Sequence, residues 1–297
     1  MIESVQVFGR SAHHVGVLAR AESTHPGRPV VVFVNAGLIH RVGPNRLHVE
    51  CARALAASGY SSFRFDLSNT GDATPRTDSL PFEAAAVEET RAAIDLALAE
   101  TGAASAVLFG LCSGAMVSVK VALADPRIAA AVLINTQSYR VDGDLKRILD
   151  GKKESTYFWK VSFFNPASWK RLLTGRSNYL ANLKMLVRQA AGIVSKKEAA
   201  AVEGWDLAVD FRALAARRFP ALLVFSENDP ALAAYRAVAK ASNPESMGSF
   251  RLEVAAGADH TFTPTDVRRR LVDNVVRFVG STFPVPAPRP EREAGVL

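Results

Sequence analysis

The stretch Phe109-Gly110-Leu111-Cys112-Ser113-Gly114-Ala115 decides how this chain folds. An apolar run, residues 105–109, leads into it as a strand, and residues 115–124 lead out of it with helical composition. The chain must reverse sharply between the two. Such a turn forces its central residue into strained backbone angles and leaves room only for small residues two positions before and two after. With Cys112 at the centre those positions are Gly110 and Gly114. With Ser113 at the centre they become Leu111 and Ala115, and the Leu111 side chain would crowd the turn. The pattern therefore puts a thiol at the apex.

Working outward, short β-rich runs alternate with helical patterns, as in a parallel sheet with crossover helices. Residues 5–8 and 15–19 read as an opening hairpin pair, and 29–35 as a dense β-branched, buried strand. Residues 45–58 carry Leu47, Cys51 and Leu55 at helical spacing, and Gly59 ends the helix. Strands are expected at 62–67 and 128–135. A long helix is expected at 81–101, with Pro81 suited to its first turn. The alternation stops from 139 to 217, where helical fragments and aromatics occur without a strand-like run. It resumes with strands at 221–226 and 250–255 and helices at 231–241 and 265–283. The last residues, 284–297, are rich in proline and charge and are expected to be disordered. The predicted organisation is a core of 1–138 with 218–283, an inserted helical region of 139–217, and a tail.

Acyl transfer needs a nucleophile, a base, an acid that orients the base, and N–H donors for the developing oxyanion. Cys112 is the candidate nucleophile. Asp229, in Ser226-Glu227-Asn228-Asp229-Pro230, follows the strand at 221–226 and is the candidate acid, with Glu227 and Asp259 in reserve and Asp142 behind them. His260, in Gly257-Ala258-Asp259-His260-Thr261-Phe262, follows the strand at 250–255 and is the candidate base. Both lie where parallel strands end, the usual place for ligands. Asp229 could instead only cap the helix after it. His13, His14, His25, His40 and His48 read as surface or packing residues, and Cys51 as an inert thiol on a helix's apolar face. A thiol at a helix N-terminus beside an imidazole is favoured as thiolate. The Ser113 amide should point at the oxyanion. A second donor is expected from the loop after residues 29–35, from the amide of Gly37 or of Leu38.

Composition narrows the classes. The 297 residues are 48% hydrophobic, ample for one sizeable core. Two cysteines are too few for a disulfide framework or a zinc cluster, so a reducing compartment is the simpler expectation. Residues 1–20 contain no apolar run of signal-peptide length, and the longest apolar stretch, 30–39, is far too short to span a bilayer. A soluble cytoplasmic protein with no metal and no cofactor is expected. The net charge is +7, and residues 140–197 hold thirteen Lys and Arg against four acids. That asymmetry points to a ligand or partner rather than to the fold. No nucleic-acid-binding module or nucleotide fingerprint is present.

The chain resembles the α/β-hydrolase superfamily over nearly its whole length. The resemblance rests on Gly110-Leu111-Cys112-Ser113-Gly114, on the Asp229 and His260 motifs in that chain order, and on Phe65-Asp66-Leu67-Ser68-Asn69-Thr70-Gly71-Asp72. The last run is similar to the superfamily's loop after its fourth strand, usually Asp-x-Arg-Gly-x-Gly-x-Ser, from which Ser68, Asn69 and Ala73 depart. Residues 35–46, Asn-Ala-Gly-Leu-Ile-His-Arg-Val-Gly-Pro-Asn-Arg, look like a bacterial subgroup that includes hydrolases associated with exosortase systems. The resemblance implies an α/β-hydrolase fold, a mostly parallel central sheet flanked by helices, with a helical lid inserted after strand six. Most members use serine at the apex. Those resembled in using cysteine include dienelactone hydrolases and polyhydroxyalkanoate synthases.

The inserted region combines Tyr157, Phe158, Trp159, Phe163, Phe164 and Trp169 with its basic residues. As a lid it would give an apolar pocket with a cationic rim, suited to a phosphopantetheinyl thioester on coenzyme A or on an acidic acyl carrier protein. As a plain solvated lid it would do neither. The expected function is acyl transfer through a covalent acyl-enzyme, by a thioesterase or by an acyltransferase or cyclase. The alternatives are a small ester or lactone hydrolase, and a non-catalytic binding protein on the same scaffold.

Overall fold

The computed structural model describes residues 1–9, 13–22, 27–136, 206–241 and 248–284. Its eight strands are β1 (Ile2–Phe8), β2 (His14–Arg20), β3 (Val30–Val34), β4 (Ser62–Phe65), β5 (Ala106–Leu111), β6 (Ile128–Ile134), β7 (Ala221–Ser226) and β8 (Phe250–Ala255). The helices in these residues are α1 (Leu47–Ala57), α2 (Phe82–Thr101), α3 (Ser113–Ala124), α4 (Leu207–Ala216), α5 (Pro230–Ala241) and α6 (Thr265–Thr282). All strands join one sheet in the order β1-β2-β4-β3-β5-β6-β7-β8. The β1–β2 and β2–β4 pairs are antiparallel and the remaining pairs parallel. This is the mostly parallel, helix-flanked sheet expected of an α/β-hydrolase fold.

The central strands are buried on both faces, which is why they read as unbroken apolar runs rather than alternating ones. Every residue of β3 and of β5 is buried. On one face Val31, Phe33, Val107, Phe109 and Val132 pack with Cys51 and Leu55 of α1 and with Leu271, Val275 and Val279 of α6. The opposite face is covered by α2 and α3. Each fully buried phenylalanine here, Phe33 and Phe109 among them, contributes about 1.5–3 kcal/mol relative to an exposed one.

The first of two compact units, Met1–Ser138 with Leu207–Leu297, holds the whole sheet. The second, Tyr139–Asp206, falls where the sequence placed the lid and, apart from Asp206, lies outside the described residues, as do residues 285–297 of the expected tail. The sheet-bearing unit resumes at Leu207 rather than at 218. Helix α4, counted above with the insert, packs on α3, and its fully buried Phe211 meets Tyr235 of α5 edge-on at 5.9 Å and Phe250 of β8 at 5.7 Å. A helical period identifies the element but not the surface it covers, so the sequence could not assign α4 to the core. None of the described helices is long and apolar enough to cross a membrane.

Candidate active site

The ends of β3, β5, β7 and β8 bring the candidate residues to one edge of the sheet. Strand β5 runs on to Leu111, and α3 begins at Ser113, so the turn between them is the single residue Cys112. Cys112 sits at φ 57°, ψ −118°, a left-handed backbone conformation uncommon for a residue with a side chain. Its amide donates to Ile134 O of β6 at 2.9 Å. The two flanking glycines are there for space. A Cβ on Gly110 would lie 2.3 Å from Gly114 O, and one on Gly114 would lie 2.5 Å from Asn35 O and 2.7 Å from Val34 O. The small positions predicted around Cys112 are thus fixed by backbone against backbone.

Asp229 and His260 meet across the loops after β7 and β8. Asp229 Oδ2 lies 2.5 Å from His260 Nδ1, with the carboxylate almost wholly buried and the ring about a third exposed. The other carboxylate oxygen, Oδ1, accepts from Ala231 N–H at 2.9 Å at the start of α5. Capping and imidazole binding, set against each other in the sequence, are done by the two oxygens of one side chain. The hydrogen bond to Asp229 is the largest influence on His260, and a hydrogen bond with the Cys112 side chain is the next. Together they outweigh burial and raise the imidazole from 6.5 to about 10. A protonated ring between a carboxylate and a sulfur is the electrostatic character of this edge.

Of the reserve acids, Asp259 is engaged elsewhere. Asp259 Oδ1 accepts from Thr263 N–H at 2.8 Å and from Thr261 N–H at 3.2 Å. Although burial pushes its pKa up, these turn amides hold the carboxyl below its ordinary range. Glu227 is exposed, and Asp142 lies outside the described residues. Cys51 is fully buried, and burial pushes its thiol far up. His48 is sealed against Phe33 and Phe109, and burial, then the nearby Arg64 charge, push it down to about 3. Both are packing residues.

The turn after β3 closes with Ile39 N–H donating to Ala36 O at 3.0 Å, and Gly37 within it has φ 56°. Of the two amides left open by the sequence, that of Gly37 points at the turn around Cys112: it donates to Ser113 Oγ at 2.7 Å. Leu38 projects outward, 84% exposed.

Two polar networks that the sequence did not flag hold these loops. Asn135, at the end of β6, donates to His260 O and to Ser226 Oγ, both at 2.9 Å, and accepts from Ser226 N–H at 2.8 Å; Ser226 Oγ in turn donates to Asp259 O at 2.7 Å. The wholly buried Asp66 accepts from the Arg41 amide at 2.6 Å, the Asp72 amide at 3.2 Å and the Arg41 guanidinium. Asn35 adds a bond from its side chain to Ile39 O at 2.8 Å and accepts from Leu67 N–H at 2.8 Å. The β3 and β4 loops are thereby tied together. The departure at Ser68 also has a structural use: its N–H and O–H both donate to the buried Glu89 of α2.

A search of curated proteins gave no match to this sequence. Among solved structures the fold is similar to the alpha/beta hydrolase GrgF from Penicillium sp. sh18, at 15% identity over 95% of this chain and 99% of that one, with a TM-score of 0.60. It is similar to a Pyrococcus furiosus esterase at 11% identity over 94% and 90%, TM-score 0.61. It is similar to a dienelactone hydrolase from Anabaena variabilis at 14% over 89% and 90%, TM-score 0.54. At such identities the likeness is one of fold. Residues 31–274, by contrast, match the sequence profile of the Alpha/beta hydrolase family, a span that takes in all of β3 but its first residue, the turn at Cys112, Asp229 and His260. With most of the chain inside that match, the protein belongs to the alpha/beta hydrolase family.

Proposed function

We propose that the protein is an acyl-transfer enzyme in which Cys112 is the nucleophile, His260 the general acid and base, and Asp229 the residue that orients the imidazole. The observation that carries this reading is the strained Cys112 facing an imidazole that Asp229 holds at 2.5 Å. With the imidazole raised to about 10, a protonated ring stands beside the sulfur, ready to serve as the general acid. Attack forms the Sγ–C bond and moves the carbonyl π electrons onto oxygen. The Ser113 amide stabilises that oxyanion, and the Gly37 amide lies beside it on Ser113 Oγ. Collapse expels the leaving group, which takes a proton from His260. The neutral imidazole then accepts a proton from water, or from an alcohol or amine, as that acceptor attacks the acyl-enzyme.

The substrate we infer is a thioester on coenzyme A or on an acidic acyl carrier protein, handled in a reducing, cytoplasmic setting. The excess of Lys and Arg over residues 140–197, interleaved with aromatics, supports it. Intact-mass analysis after incubation with acetyl-coenzyme A tests the reading. An acyl adduct on Cys112, absent in Cys112→Ala, is expected. An adduct discharged by an added amine marks a transferase, and rapid discharge by water alone a thioesterase. Turnover of small oxygen esters or lactones without any on thioesters would move the reading to an ester or lactone hydrolase. A Cys112 inert to both substrates and to iodoacetamide would leave a binding protein.

A further inference from the structure

The Gly37 amide, the donor expected to face an oxyanion, is already engaged by Ser113 Oγ at 2.7 Å. It cannot bond an oxyanion directly without first leaving that hydroxyl. A hydroxyl that accepts a backbone N–H still has its own proton to give, and among the described residues the Ser113 proton has no acceptor. Ser113 is the first residue of α3, adjacent to Cys112, so its amide and its hydroxyl leave the backbone beside the attacking sulfur. Accepting from Gly37 also polarises the O–H and makes it the stronger donor. The turn geometry keeps the pair in place: Gly37 sits at φ 56° in a turn closed by the bond from Ile39 N–H to Ala36 O.

We propose that the Ser113 hydroxyl, backed by the Gly37 N–H, donates directly to the oxyanion formed at Cys112, and that Gly37 acts through it. Ser113 would then supply two donors, amide and hydroxyl, to one oxygen. This deepens the reading of Cys112 as nucleophile and rests on it. The step is acylation. The sulfur–carbon bond forms as the C=O π pair moves to oxygen, where both Ser113 donors stabilise it; the pair then returns and the leaving group departs with the electrons of its bond to the carbonyl carbon (C–S in a thioester, C–O in an oxygen ester), taking a proton from His260 where it needs one.

Two reactions of the same thiol separate this role from others. Acylation by p-nitrophenyl acetate passes through an oxyanion and releases p-nitrophenolate. Alkylation by iodoacetamide displaces iodide at a saturated carbon and forms none. Removing one oxyanion donor typically slows the chemical step by about 100-fold or more. In Ser113→Ala the acylation rate is therefore expected to fall by about 100-fold, in kcat rather than KM, while alkylation of Cys112 keeps its wild-type rate. Ser113→Thr, which keeps the hydroxyl, should retain most of the acylation rate. Unchanged acylation in Ser113→Ala would overturn the inference, because the freed Gly37 amide would then suffice. Equal losses in both reactions would also overturn it, assigning Ser113 to the thiol instead. Both results leave Cys112 as nucleophile intact. Wild-type protein that is alkylated at Cys112 but never acylated there would remove the catalytic reading and this inference with it.

Discussion

The side-chain amide of Asn135 donates to the carbonyl oxygen of His260 at 2.9 Å, linking the ends of β6 and β8 across 125 positions of sequence. The same side chain pairs twice with Ser226, so the loops after β6, β7 and β8 are tied to one another. Asn135 is fully buried and has φ 46°, a conformation asparagine tolerates better than most residues. It holds the backbone that carries the imidazole without touching the ring. Asn135→Ala leaves buried partners unsatisfied and frees that backbone. We expect a stability loss of about 1–3 kcal/mol in urea unfolding, and a fall in turnover of p-nitrophenyl acetate of about 10- to 100-fold from misplacement of the ring.

The pairing of Asp229 with His260 sets a pH dependence of stability whose sign is fixed. The imidazole is raised from 6.5 to about 10, so folding favours its protonated form. That contribution is fully present below about pH 6.5 and disappears as pH rises through about 10. Asp229→Asn removes the largest cause of the shift. The Tm difference between wild type and Asp229→Asn should be widest near pH 6 and should close by about pH 10. A difference that widens toward alkaline pH would contradict the assignment of His260 as the raised group.

The two thiols should separate cleanly under native conditions. Cys51 is wholly buried with its thiol pushed up, whereas Cys112 is partly exposed beside a protonated imidazole. Reactivity follows thiolate character and access. Iodoacetamide at neutral pH is expected to modify Cys112 alone, as read by peptide mass. Cys112→Ala should take up no label until it is unfolded, when Cys51 becomes reactive.

What the sequence revealed was what local sterics or chain order controls. The turn at Cys112 was readable because Gly110 and Gly114 stand where any Cβ would strike backbone. Asp229 and His260 were readable because each directly follows a strand. The contacts of Asn135, Ser226, Asp66 and Arg41 were not, since each forms only with a partner brought near by the fold. Ser226 and Asn135 are 91 positions apart, and Arg41 and Asp66 are 25 apart. An isolated Asn or Ser at a strand end carries no such information. Helical composition was read from residue 115; α3 starts at Ser113 because the turn is complete at Cys112. The hydrogen bond between Gly37 and Ser113 was likewise hidden, although both residues had been singled out.

Glycine substitutions test how tightly the turn at Cys112 is packed, because two opposing effects differ between sites. In a helix interior, Gly→Ala stabilises by about 0.5–1 kcal/mol through lost unfolded-state freedom and better propensity. At Gly114 the added methyl would lie 2.5 Å from Asn35 O and 2.7 Å from Val34 O, both backbone atoms of a central strand's end. Neither can move without shifting β3, so overpacking of about 1–3 kcal/mol should outweigh the propensity gain. Gly280, in α6, has no heavy atom within 4 Å of the equivalent position. Urea unfolding should therefore show Gly114→Ala destabilised and Gly280→Ala stabilised by about 0.5–1 kcal/mol. The Gly114 variant should also lose acylation of Cys112, since moving α3 from β3 moves Ser113 away from Gly37. If Gly114→Ala were as stable as wild type and as readily acylated, the contact between α3 and the end of β3 would not be what fixes the geometry at Cys112.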